Sequence, residues 1–141
     1  GLCLNTFYSH KGSVISIIHL YQYCKELVAS SSTRESTIKI WNFNTLEIYM
    51  NLIGHSGPVL SLLYLNSLNP SLICSFSNEE VDSLKIWDID RKESIATLKG
   101  QETTIKAMIF IKNGKGYFNL ITASEDHIIR IWEFEENFTH K

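Results

Sequence analysis

Apolar residues along this chain come in short runs of five to seven, rich in β-branched and aromatic side chains and bounded by Gly, Ser, Asn or Pro. No run reaches helical length with a 3.6-residue period, so the pattern predicts strands throughout. The runs also repeat. VISIIHL from Val14, VLSLLYL from Val59 and IKAMIFI from Ile105 each have a small third residue, Ser16, Ser61 or Ala107, which suggests close approach of a neighbouring layer. A second run follows each: LVASSS to Ser32, LICSFS to Ser77 and LITAS to Ser124. A third carries IKIW, LKIW or IRIW, ending at Trp41, Trp87 and Trp132. There Lys39, Lys85 and Arg130 alternate with apolar neighbours, the period of a strand with one wetter face. A fourth run lies at Glu47–Ile53 and Glu93–Lys99, and Leu2–Tyr8 is its equivalent ahead of the first unit.

The three tryptophans stand 46 and 45 residues apart. A period of that size marks a repeat architecture, here with four short antiparallel strands per unit. Fourteen residues after Trp41 and Trp87 come His55, in Gly54-His55, and Gln101, in Gly100-Gln101; Ser9-His10 holds the same place before the first unit. A period near 45, Gly-His ahead of the first strand and Trp-Asp closing the third resemble the WD40 repeat. Trp87-Asp88 is intact, and Trp41-Asn42 and Trp132-Glu133 are softened forms.

The resemblance implies an all-β fold of WD40-type propeller blades, each a four-stranded antiparallel sheet, with repeats at about 2–43, 46–89 and 93–134. Residues 1–134 would form a partial propeller of about three blades, and 135–141 an exposed tail or the start of a further blade. It also implies a buried hydrogen-bond chain of His, Ser or Thr, Asp and Trp in each blade. The matching residues are His10, Ser32 (or Thr33), Glu35 and Trp41, then His55, Ser77, Asp82 and Trp87, then Ser124, Asp126 and Trp132 with Gln101 in place of His. Serine and tryptophan are 9, 10 and 8 residues apart, so no unit has both the full set and the family spacing. Such blades should rely more on apolar packing.

Propellers close with about four to eight blades. Three blades therefore point to a segment of a larger WD40 protein, with the other blades in the parent chain or a partner. Self-association of two copies into a six-bladed ring is the alternative.

At 141 residues, with 44% apolar and 20% charged residues, the composition is globular. A formal charge of −2 without basic runs gives no electrostatic reason to bind nucleic acid or an anionic membrane. No apolar stretch approaches a membrane span, and the N-terminus does not read as a signal peptide. Cys3, Cys24 and Cys74 have no paired spacing and read as small buried residues of a reducing compartment. No zinc spacing, nucleophile elbow or phosphate-binding loop occurs. Asn113-Gly114-Lys115-Gly116 reads as a hairpin turn, and His19, in the column of Tyr64 and Phe110, as a core or half-core position.

No catalytic, metal or cofactor residues are expected. The sequence reads as a non-catalytic protein-interaction scaffold in a eukaryotic, intracellular complex, cytoplasmic or nuclear. The alternative is an RNA-binding or ribonucleoprotein-associated module. By family analogy partners meet the rim turns, here Lys11, Arg34, Ser56, Glu79, Glu80, Glu102 and Glu125. Their mostly acidic character favours other proteins or basic peptide segments as ligands.

Overall fold

A computed structural model describes residues 1–77, 83–100 and 103–135. Its strands are β1 (Val14–His19), β2 (Leu27–Ser32), β3 (Thr37–Asn42), β4 (Glu47–Ile53), β5 (Val59–Tyr64), β6 (Leu72–Ser77), β7 (Leu84–Asp88), β8 (Glu93–Leu98), β9 (Ile105–Lys112), β10 (Phe118–Ser124) and β11 (Ile129–Phe134). They form three antiparallel sheets in simple meander order: β1 to β4, β5 to β8 and β9 to β11. The predicted all-β, blade-like architecture is what the chain adopts.

Strand composition tracks the number of covered faces. Every residue of β6 is buried, because the second sheet lies between the other two. β10 instead alternates buried and half-buried residues along most of its length, since only one of its faces is covered. Leu27, Ala29, Ile38 and Ile40 of the first sheet pack against Leu62, Ile73 and Trp87 of the second. Cys74, Phe76, Leu84 and Ile86 on the other face of the second sheet meet Phe118, Leu120 and Phe134 of the third. Each such side chain contributes about 1.5–3 kcal/mol by leaving water. The small residue in the first strand does mark a close approach: Ser16 Oγ accepts a 3.0 Å hydrogen bond from the Leu62 backbone N–H of the next sheet.

Three local expectations change. Leu2–Tyr8 forms no strand; Leu2, Leu4 and Tyr8 are exposed, and Phe7 instead sets its ring against Trp41 at 4.9 Å. A strand needs an edge to bond to, and this segment lies instead beside Ile17, Val28 and Trp41 of the first sheet. His19 is exposed and bonds the Lys25 carbonyl at 2.9 Å, so it is not a core residue. Lys39 and Lys85 are buried rather than set on a wet face. Lys39 lies within 2.7 Å of a Glu35 carboxylate oxygen, and its ammonium also donates to the Ser9 carbonyl. Asn113–Gly116 is the turn joining β9 to β10, closed by a 2.8 Å bond from Asn113 N–H to the Tyr117 carbonyl.

All three cysteines are free thiols. Burial pushes the Cys74 thiol up to about 12, whereas Cys3 is exposed. Iodoacetamide at pH 8 should therefore modify Cys3 in the native protein and leave Cys74 untouched until denaturant is added. Peptide mass mapping reads this directly, and rapid native labelling of Cys74 would show that the junction of the second and third sheets opens.

Candidate functional site

The tryptophans anchor to hydroxyls, and the hydroxyl that each chooses lies two residues before the serine suggested by sequence register. Trp41 Nε1–H donates to Ser30 Oγ at 2.8 Å, Trp87 to Ser75 at 2.7 Å and Trp132 to Thr122 Oγ1 at 3.4 Å. His10 Nε2 reaches the same Ser30 Oγ at 2.7 Å, and His55 Nε2 reaches Ser75 at 2.6 Å. Ser32 joins the first network by a different route, donating to Glu35 at 3.1 Å. Ser77 Oγ is buried with no partner among the described residues. The glycine ahead of the histidine has a steric cause: a Cβ on Gly54 would lie 3.1 Å from the Trp87 ring.

Glu35 is the hub of the first sheet. Its carboxylate accepts from Lys39, from the His10 ring and, at 3.2 Å, from the Lys11 backbone N–H. Burial alone would raise its pKa, but the bonds from Lys39, His10 and Lys11 more than offset that and hold it at about 2. The longer carboxylate reaches all these donors from the turn, which gives this blade a fully connected network that the spacing did not promise. In the third sheet Asp126 pairs with Arg130 at 2.8 Å, the same four-residue relation as Glu35 with Lys39. The Arg130 hydrogen bond lowers the Asp126 pKa. This carboxylate-to-basic pairing across turn and tryptophan strand was legible only as two separate columns. Asp82 and Gln101 lie outside the described residues.

Of the turns named for the rim, those carrying Arg34 and Ser56 lie side by side. Ser13 N–H donates to Thr33 Oγ1 at 3.2 Å, and the Val59 N–H of the second sheet donates to the Glu35 carbonyl at 3.2 Å. Between these turns Arg34, Glu35 and Ser36 face Ser56, Gly57 and Pro58 across a cleft of about 200 Å³. Exposed Lys11 sits in the adjoining turn. Glu125 is elsewhere on the third sheet, ion-paired with Lys106 at 2.6 Å, which holds its carboxyl below the ordinary range. Glu79, Glu80 and Glu102 lie outside the described residues; the described cleft is polar, with one cation, Arg34, and one carboxylate, Glu35.

Among the described residues no cluster of three or more His, Cys, Asp or Glu could hold a metal ion. No helix there is long and apolar enough to cross a membrane.

The model of the WD domain, G-beta repeat (WD40), matches residues 1–42 and 92–133, more than half of the chain. Nuclear distribution protein nudF of Aspergillus niger is 28% identical over 138 residues, covering 97% of this chain and 30% of that protein. Nuclear distribution protein nudF 1 of Talaromyces marneffei is 34% identical over 114 residues, covering 79% and 24%. Polycomb group protein FIE1 of Oryza sativa subsp. japonica is 31% identical over 111 residues, covering 78% and 23%. The chain thus spans less than a third of the length of these relatives. Among solved structures, the computationally designed Ika8 protein superposes with a TM-score of 0.69 at 21% identity, covering 91% of this chain and 35% of that one. The designed Ika4 protein superposes at 0.64 and 17% identity, covering 94% and 98%. At these identities the likeness is one of fold.

Proposed function

Because the chain belongs to the WD40 repeat family, we propose that it acts as a non-catalytic scaffold for protein–protein contacts inside a eukaryotic cell. Residues 1–134 would serve as one block of propeller blades within a multiprotein assembly. The observation that carries this reading is the rim cleft, where Arg34 and Ser56 from successive sheets open into one cavity beside Lys11. Loops fixed on a rigid sheet stack are well suited to recognition. The network beneath them supports a structural role: His10 and His55 are each held against a serine that also binds a tryptophan. The names of the fungal relatives, nuclear distribution proteins, support a role in such an assembly without fixing its members.

The ligand of this rim is a segment of another protein. By sequence, Glu79, Glu80 and Glu102 suit a basic peptide, while Lys11 and Arg34 would take a carboxylate from the same partner. The test is affinity capture with the wild-type chain and with Lys11→Glu/Arg34→Glu, both exposed positions. Partners that depend on the rim should fall at least about tenfold in yield with the double variant, while Glu133→Lys, on a sheet face, should retain them. Equal recovery from all three baits would remove the rim from the binding surface.

A further inference from the structure

The outer strands of the two four-stranded sheets share a backbone and differ in what they show to solvent. Among the described residues β4 bonds only to β3 and β8 only to β7, so each presents an open edge on its far side. The two strands match residue for residue. Glu47 pairs with Asn42 as Glu93 pairs with Asp88, and both sheets shift register just ahead of the tryptophan. Leu46 and Lys92, each one residue before the strand, share a left-handed backbone at φ of 63° and 60°.

The side chains along these edges are of opposite character. Exposed Arg91, Lys92 and Lys99 flank β8, and charge of this kind keeps an edge strand from pairing with another chain. The matching positions of the first sheet are Thr45, Leu46 and Ile53, and no Lys or Arg occurs from Asn42 to Ile53. Exposure follows composition: Ile53 is 73% and Tyr49 53% exposed, and Phe43 and Leu46 are exposed with them. Their counterparts are Lys99, Ile95, Ile89 and Lys92, so the second sheet either charges or buries each position that the first leaves apolar and open. Leu46 also holds an apolar side chain out to solvent on a backbone conformation that disfavours any residue with a Cβ.

Charge marks one end of the β4 edge. Glu47 is exposed there, and Glu26 adjoins it through Asn42, whose side-chain amide donates to the Glu26 carboxylate at 3.2 Å. The rest of β4 is uncharged.

We infer that the outer edge of β4 is a docking edge, which takes an extended segment of another protein as an added strand. A row of backbone N–H and C=O groups is satisfied along its length by another strand, and apolar side chains beside it give such pairing its specificity. The segment carries apolar residues at alternate positions, to cover Leu46, Tyr49 and Ile53, and Lys or Arg at the end that meets Glu47 and Glu26. The occupant is another protein and not a second β4, because β4 brings no cation to Glu47. The edge is distinct from the rim cleft, none of whose lining residues lies on β4.

The probe is a short, fluorescently labelled synthetic peptide of alternating valine and threonine that ends in arginines, added to the whole chain. Its binding should slow hydrogen exchange at the outward-facing amides of β4 at least about tenfold and leave β8 unchanged. Leu46→Lys/Ile53→Lys writes the β8 pattern onto β4, at positions where the same backbone already holds Lys92 and Lys99. It should weaken the peptide at least about tenfold by anisotropy, with far-UV circular dichroism confirming that the variant folds. Glu47→Lys should weaken the arginine-ended peptide and strengthen a version ending in glutamates. A version with proline at its centre should not bind, since it lacks a main-chain donor. Lys11→Glu/Arg34→Glu should leave peptide binding unchanged, so the rim and the edge are tested separately. Equal slowing at β4 and β8, unchanged affinity in Leu46→Lys/Ile53→Lys, or no protection of β4 at millimolar peptide overturns the proposal. A dimer of the chain that Leu46→Lys/Ile53→Lys dissolves would overturn it in favour of a second copy on this edge.

Discussion

Trp87→Ala is expected to destabilise the chain by about 4 kcal/mol, enough to leave it largely unfolded against a typical total of about 5–15 kcal/mol. Trp87 is fully buried in the middle sheet, where it packs into the cluster formed with Leu27, Ile38 and Ile40. Its indole N–H is held by Ser75, and its ring meets His55 at a centroid distance of 5.6 Å. Truncation would open a void between two sheets that β-strand geometry cannot collapse, and would strip Ser75 and His55 of a common partner. Trp132 makes the useful comparison, being half-buried with a looser 3.4 Å bond to Thr122. Trp132→Ala should cost about half as much. Trp87→Phe should cost about 1–2 kcal/mol, since it keeps most of the ring and loses the donor. Urea denaturation followed by circular dichroism gives all three values. Equal losses for Trp87→Ala and Trp132→Ala would show that burial in the central sheet is not what makes the residue important.

The tryptophan columns were visible in the sequence because they repeat at a constant interval, and so were the strands, whose apolar runs are short and bounded. The choice of hydroxyl was not visible. Ser30 and Ser32 are two residues apart on β2 and therefore point to the same face. Only the register of β2 against β3, which sets Val28 opposite Trp41, decides that Ser30 receives the indole and Ser32 the turn carboxylate. Lys39 misled for a related reason. A charge alternating with apolar residues reads as solvent-facing, but its partner Glu35 is four residues back, in the turn ahead of the strand. The fourth-strand character of Leu2–Tyr8 was legible as sequence, but strand formation depends on an edge, and edges belong to the assembly of sheets and not to the segment itself. The rim cleft lay between these cases. Arg34 and Ser56 were identifiable as turn residues, while their convergence depended on the bond from Val59 to the Glu35 carbonyl across two sheets.

Glu35 carries the second large effect, and it has a pH signature. Glu35→Ala should cost about 3 kcal/mol at pH 7, because Lys39 would remain buried with only the Ser9 carbonyl for company and His10 and the Lys11 amide would lose their acceptor. The native carboxyl titrates at about 2 against an ordinary 4.5, so it is a group whose pKa folding depresses. Its contribution is therefore complete above the unfolded value near 4.5 and is lost as pH falls toward about 2. Glu35→Gln isolates the charge: it keeps the side-chain length and one acceptor oxygen but has nothing to protonate. The wild type should then lose stability relative to Glu35→Gln across that acid window, so that their curves converge near pH 2 while remaining about 2 kcal/mol apart at pH 7. Asp126, also depressed by its ion pair, contributes an acid-side slope common to both proteins and cancels in the difference. Thermal unfolding of the pair at pH 2.5, 3.5, 4.5 and 7 measures that difference directly. A separation independent of pH would mean that Glu35 acts through packing alone and that its charge does not hold the first sheet's network together.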